Sequence, residues 1–101
     1  MTSWKKLERE AAKYLGGKRR WRMGNYSERC GDIDHPRFSI ECKYGKQVPG
    51  FIYRAIDQAI GYDNQKLPMA VLQKKFMEPL LVIRLQDLER FHEEKETLGN
   101  G

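Results

Sequence analysis

Two carboxylates and an ammonium group sit close together in the first half of the chain. Asp32 is followed by Glu41-Cys42-Lys43. In an extended strand, residues i and i+2 face the same way. Glu41 and Lys43 therefore project from the face opposite Phe38, Ile40 and Cys42. If Asp32 lies on a neighbouring strand, its carboxylate comes beside that of Glu41. Two such groups repel unless they share a proton or hold a cation. An oxygen-rich pair suits Mg²⁺ or Mn²⁺. Lys43 could then orient or deprotonate an attacking water, or steady the charge on a phosphate. The plainer alternative is a Glu41–Lys43 salt bridge on a half-exposed strand, because E-x-K is a common pattern.

Two further features could join this group. On a helical wheel started at Trp4, Leu7, Ala11, Tyr14 and Leu15 share one arc, and Glu8 falls at about 40°, between Leu15 at about 20° and Ala12 at about 80°, inside the buried side. A lone charge there is costly to bury unless it is paired or bound to metal. Its alternative reading is an arc-edge residue reaching solvent or pairing with a lysine. Gln58 and Tyr62 lie one turn apart on a second helix, Gln58 at the rim of the apolar arc and Tyr62 near its centre. The amide could position water or contact a carboxylate; otherwise the pair is an interfacial glutamine and a core tyrosine.

The elements that must position these groups follow from the hydrophobic period. Residues 3–15 read as a helix stopped by Gly16-Gly17. Residues 18–23 read as a short basic strand anchored by Trp21, and 24–31 as a loop. A strand starts near Gly31–Asp34 and turns at His35-Pro36. Phe38–Tyr44 is the clearest strand, by its alternation. A second amphipathic helix covers 50–64, with Phe51, Ile52, Ala55, Ile56, Ala59 and Tyr62 on its apolar side. Strands follow at 69–72 and 80–83, the latter a continuous apolar run suited to a buried central position. A last helix runs from Leu85 to about Glu94, with Leu85, Leu88 and Phe91 inward. The expected order is α-β-β-β-α-β-β-α, an α/β (α+β) domain with a central mixed sheet flanked by helices. One domain over 1–95 with a frayed tail at 96–101 is expected.

Bulk properties narrow the function. The 101 residues carry 19 Lys+Arg against 14 Asp+Glu, a net charge of +5, which suits a polyanionic partner. No apolar run approaches the ~18 residues of a membrane span. The opening MTSWKKLERE has no signal-peptide core, so a cytoplasmic location is expected. Cys30 and Cys42 match neither a disulfide framework nor a zinc spacing and read as reduced thiols. His35 and His92 read as a turn residue and a helix-exterior residue. Trp4, Trp21, Tyr26 and Phe76 read as core or loop anchors rather than base-stacking groups, with Tyr26, in the basic loop, the one to test for contact with a polyanion.

The order Glu8 on the first helix, then Asp32, then Glu41-x-Lys43, resembles the PD-(D/E)xK nuclease superfamily. The usual Pro-Asp appears as Gly31-Asp32, and Gln58-x-x-x-Tyr62 is similar to the Q-x-x-x-Y of RecB-like members. The segment from Gly31 to Lys46, with Leu7-Glu8-Arg9, Leu15-Gly16-Gly17 and Leu80 to Asp87, resembles small phage and archaeal-type Holliday junction resolvases. The likeness covers about residues 4–92. It implies a restriction-endonuclease-like core and Mg²⁺ (or Mn²⁺) held by Asp32 and Glu41, with the Cys42 carbonyl as a further ligand. It implies that Glu8 completes the acidic cluster, that Asp34 replaces or supplements Asp32, and that Lys43 assists attack on phosphorus. The implied reaction is hydrolysis of a DNA phosphodiester.

Phosphate contacts are expected from Lys18, Arg19, Arg20, Arg22, Arg29, Lys46, Arg54, Lys74 and Lys75, with Tyr26 beside them. No element resembles a major-groove recognition helix, so shape is the expected basis of recognition. Two opposed cuts in a four-way junction suit a C₂ homodimer. The alternatives are a nuclease of the same fold on other DNA (nicking, flap or restriction-like), or a non-catalytic basic DNA-binding protein.

Overall fold

A computed structural model describes residues 4–19 and 33–98. Its helix α1 spans Trp4–Leu15. Leu7, Ala11, Ala12 and Leu15 recur at helical spacing and give it one inward stripe. Ala11 is buried, whereas Trp4 (51% exposed) and Tyr14 (42%) are not. The inward stripe is therefore rotated away from the aromatics and toward Glu8. The helix stops where Gly16 turns left-handed (φ 75°) and donates its N–H to the Ala12 carbonyl at 2.9 Å. That is an αL cap, a conformation that costs glycine little. Gly17 follows at φ 132°, and a Cβ there would lie 2.8 Å from the Asp34 carbonyl oxygen. Only glycine fits so close an approach.

Next comes β1 (Lys18–Arg19), which pairs antiparallel with β2 (Ile33–Asp34) in the register Lys18↔Asp34, Arg19↔Ile33. Ile33 is 2% exposed and also bridges Ile40. Among the described residues, the strand expected at Phe38–Tyr44 shows that single bridge. A turn built on His35 precedes it. Its Nδ1 accepts hydrogen bonds from the Arg37 and Phe38 N–H groups at 3.0 and 3.2 Å. Its ring also stacks on Phe38 with centroids 4.5 Å apart. The Phe38 N–H is thus spent locally and is lost to a ladder. Because Nδ1 accepts, Nε2 carries the proton and donates to the Leu15 carbonyl at 3.0 Å. One neutral imidazole joins the end of α1 to this turn.

Contacts gather into two units, Met1–Val48 and Pro49–Gly101. In the second, α2 covers Gly50–Tyr62, and β3 (Met69–Leu72) pairs antiparallel with β4 (Leu80–Ile83) from Met69↔Ile83 to Leu72↔Leu80. Helix α2 packs on β3 with Ile56 and Ala70 buried. Its inward stripe runs through Ile52, Ala55, Ile56, Ala59 and Ile60. Phe51 (52% exposed) and Tyr62 (86%) lie outside it, contrary to the expected core position of Tyr62. The run Leu80–Ile83 is also not a buried central strand. Among the described residues β4 pairs only with β3, and Leu80 and Leu81 stay more than half exposed. A 3₁₀ turn, Leu85–Asp87, leads into α3 (Leu88–Leu98), which continues beyond the expected end near Glu94. Leu85, Leu88 and Phe91 are half-buried. The turn is pinned by Arg84 Nε donating to Asp87 Oδ2 at 2.7 Å, with Asp87 8% exposed.

The chain is thus a small α+β protein of three helices and two antiparallel two-stranded sheets among the described residues. No described helix is long and apolar enough to cross a membrane.

Candidate functional site

The residues that could do chemistry meet in the first unit, where α1 packs on β1 and β2. Glu8 points inward and is 5% exposed. Its carboxylate is answered by Arg19, whose Nε donates to Oε1 at 2.7 Å. Arg19 also lies over the Trp4 ring, 5.6 Å from the centroid. The sequence expectation of a carboxylate inside the buried arc holds, and the partner that answers its charge is an arginine rather than a lysine. Arg19, expected at the DNA surface, is three-quarters buried in this pair.

Glu41 and Lys43 project from the segment after the His35 turn. They form an ion pair at 3.1 Å with both side chains exposed, 57% and 78%. Such a pair contributes about 0–1 kcal/mol. It leaves both groups within reach of a ligand. Between them in sequence, Cys42 is half-buried. Burial pushes its thiol pKa up, and the negative charges of Glu8 and Glu41 push it further. The Cys42 thiol therefore lies in the field of two carboxylates, one from α1 and one from the E-C-K segment. Asp34 is exposed on β2, one residue beyond the buried Ile33.

Asp32, the central carboxylate of the sequence expectation, lies outside the described residues, as do Arg20, Trp21, Arg22, Tyr26, Arg29 and Cys30. Gln58 is exposed on α2, in the second unit. The cations Lys18, Lys46, Arg54, Lys74 and Lys75 are all exposed.

The donor types suit a hard cation, since carboxylate and carbonyl oxygens are what Mg²⁺ takes. The number falls short, however. Among the described residues no three His, Cys, Asp or Glu groups gather closely enough to hold a metal ion. The Glu8 carboxylate is moreover engaged by Arg19. The described residues alone do not make a metal centre, and a full set turns on Asp32.

Sequence reasoning missed two organising residues. His35 read as a plain turn residue, yet it ties the end of α1 to the turn ahead of Glu41. A histidine shortly after Asp32 and before Phe38 gives no sequence sign of that reach. Phe76 read as an anchor but is 94% exposed. Its neighbours Lys74-Lys75 and Glu78-Pro79 mark a turn, and a turn tip seldom buries its side chains. Compared with family models, characterised proteins and solved structures, the chain matches none.

Proposed function

We propose that the first unit carries the acidic site of a divalent-cation-dependent endonuclease acting on branched DNA, with four-way junctions as the substrate. The reading rests on one observation: α1 turns the Glu8 carboxylate inward to 5% exposure, in the same unit that presents the exposed Glu41–Lys43 pair. Carboxylates from separate elements share a neighbourhood there, with the Lys43 ammonium 3.1 Å from Glu41. A restriction-endonuclease-like core in the order α-β-β-β-α-β-β-α, and a C₂ homodimer making two opposed cuts, belong to the same proposal.

In the proposed reaction a water oxygen attacks phosphorus in line and a P–O bond breaks. Mg²⁺, when bound, would neutralise charge on the phosphate. Glu41, with Asp32 and the Cys42 carbonyl, would hold it. Lys43, exposed and only weakly held by Glu41, meets the phosphate oxygens. Glu8 and Arg19 act by position, fixing α1 against β1.

A second reading, a non-catalytic basic DNA-binding protein, is favoured by the engagement of Glu8 with Arg19. Incubating the full chain with a synthetic four-way junction and a linear duplex, in Mg²⁺ or in chelator, separates the two. The nuclease reading expects paired Mg²⁺-dependent cuts in the junction, abolished by Glu41→Gln with DNA binding retained, and strongly slowed by Lys43→Ala. Retained cutting by Glu41→Gln removes the site assignment. Tight binding without any cutting by the unaltered chain favours the binding protein.

A further inference from the structure

We propose that the tip of the β3–β4 hairpin is a DNA-stacking element, in which the Phe76 ring lies on an unpaired base while Lys74 and Lys75 meet the neighbouring phosphates. The proposal rests on the DNA reading above but not on catalysis.

The tip is built to hold an aromatic ring out in solvent. Met77 N–H donates to the Lys74 carbonyl at 2.9 Å, closing a turn over Lys75 and Phe76. The Gln73 side-chain amide donates to the Met77 carbonyl at 2.7 Å and braces the loop from within. Phe76 sits at the third position of that turn with φ 70°, the left-handed conformation that a type II turn gives to glycine or asparagine. A bulky residue there is a steric outlier, and such strain persists where the surroundings enforce it. Phe76 gains nothing from burial in return, being 94% exposed, and Met77 beside it is 53% exposed. A turn whose only task is to reverse the chain has no need of this residue at this position.

The chemistry of the tip points to the occupant. The Lys75 ammonium lies over the Phe76 ring at 5.1 Å from the centroid, and Lys74, the first residue of the turn, is a second exposed cation. Two cations beside an exposed aromatic ring match the two parts of a nucleotide, phosphate and base. A chain of net charge +5 brings the same polyanion to it. A second copy meeting the tip through its own tip would bring another pair of lysines to the same place, so tip-to-tip self-association is the weaker match.

Fluorescence anisotropy with a labelled single-stranded oligonucleotide, a four-way junction and a blunt duplex, in chelator to prevent cutting, tests the assignment. Phe76→Ala is expected to weaken binding to the single strand about 5- to 150-fold, the range for losing one base–aromatic stack. Duplex binding should change by less than about 2-fold on the same basis, because its bases are already stacked. Phe76→Trp should restore the single-strand affinity. Lys74→Ala with Lys75→Ala should lower the magnitude of the single-strand salt slope by roughly 0.7 for each phosphate that a lysine no longer neutralises. Phe76→Ala should leave that slope unchanged. Unchanged single-strand affinity in Phe76→Ala, or an equal loss on all three DNAs, overturns the proposal. So does light scattering in which Phe76→Ala turns a dimer into a monomer with DNA affinity per protomer intact, which gives the tip to a second copy. If the unaltered chain cuts nothing while the Phe76 dependence holds, the nuclease reading fails and the stacking tip stands. If cutting is present and Phe76→Ala binds normally, the reverse is true.

Discussion

Removing Arg19 should damage the protein far more than removing its partner Glu8. The pair is asymmetric: the Glu8 side chain is 6% exposed and the Arg19 side chain 24%. Arg19→Met leaves a carboxylate inside the α1 stripe with no countercharge. Breaking a buried pair in this way costs about 3–5 kcal/mol, and the partial exposure of Arg19 lets some water reach the carboxylate, so we expect about 2–3 kcal/mol. Glu8→Met leaves a guanidinium that can swing to solvent, at about 1 kcal/mol on the same reasoning. The double variant replaces the pair with apolar groups and should cost less than the sum of the singles, with a coupling of about 1–2 kcal/mol. At roughly 4–8 °C per kcal/mol for a chain of this size, Arg19→Met should melt about 10–20 °C lower. Thermal unfolding followed by circular dichroism gives all three values. A shift in Arg19→Met within about 2 °C of zero, or strictly additive singles, refutes the reasoning.

Two further outcomes follow from the structure. Phe76→Gly should stabilise the fold by about 1 kcal/mol, because the left-handed backbone no longer carries a Cβ and no buried surface is lost. Its melting point should rise while single-strand binding falls, and an unchanged or lower melting point contradicts the strain at the tip. The Cys42 thiol, with its pKa pushed up by burial and then by Glu8 and Glu41, should alkylate slowly with iodoacetamide at neutral pH in a Cys30→Ser background. Glu41→Gln should speed the reaction, and an unaltered rate counts against the shared neighbourhood. Its unfolded form ionises near the ordinary value of 9.0, whereas the folded form keeps its proton to higher pH. The folded state therefore binds more protons in between, so this contribution to stability is complete below about pH 9 and falls as pH rises through the folded value.

What the sequence disclosed depended on how local the cause was. Helix α1, helix α2 and the strands 69–72 and 80–83 follow from period and punctuation, and they stand where periodicity puts them. The buried placement of Glu8 was legible from the wheel, because a helix fixes its own faces. Its arginine partner was not, since β1 meets α1 through a turn whose geometry depends on Gly16 and Gly17. Phe38–Tyr44 alternates like a strand, yet among the described residues Ile40 alone of that run is bridged, and the Phe38 N–H goes to His35, a local side-chain choice that alternation cannot reveal. Tyr62 and the Leu80–Leu81 pair read as buried on hydrophobicity alone. The exposure of Tyr62 reflects which face of α2 packs on β3, and periodicity states only that some face must; Leu80 and Leu81 lie on β4, which among the described residues pairs with β3 alone.

The central claim is that Glu41 and Asp32 hold a divalent cation, and calorimetric titration of the full chain with Mn²⁺ tests it most directly. Saturable binding by the unaltered chain is expected, lost in both Glu41→Gln and Asp32→Asn while their melting points stay within about 5 °C of the parent. Absence of binding to the unaltered chain, or equal binding by Glu41→Gln, contradicts it.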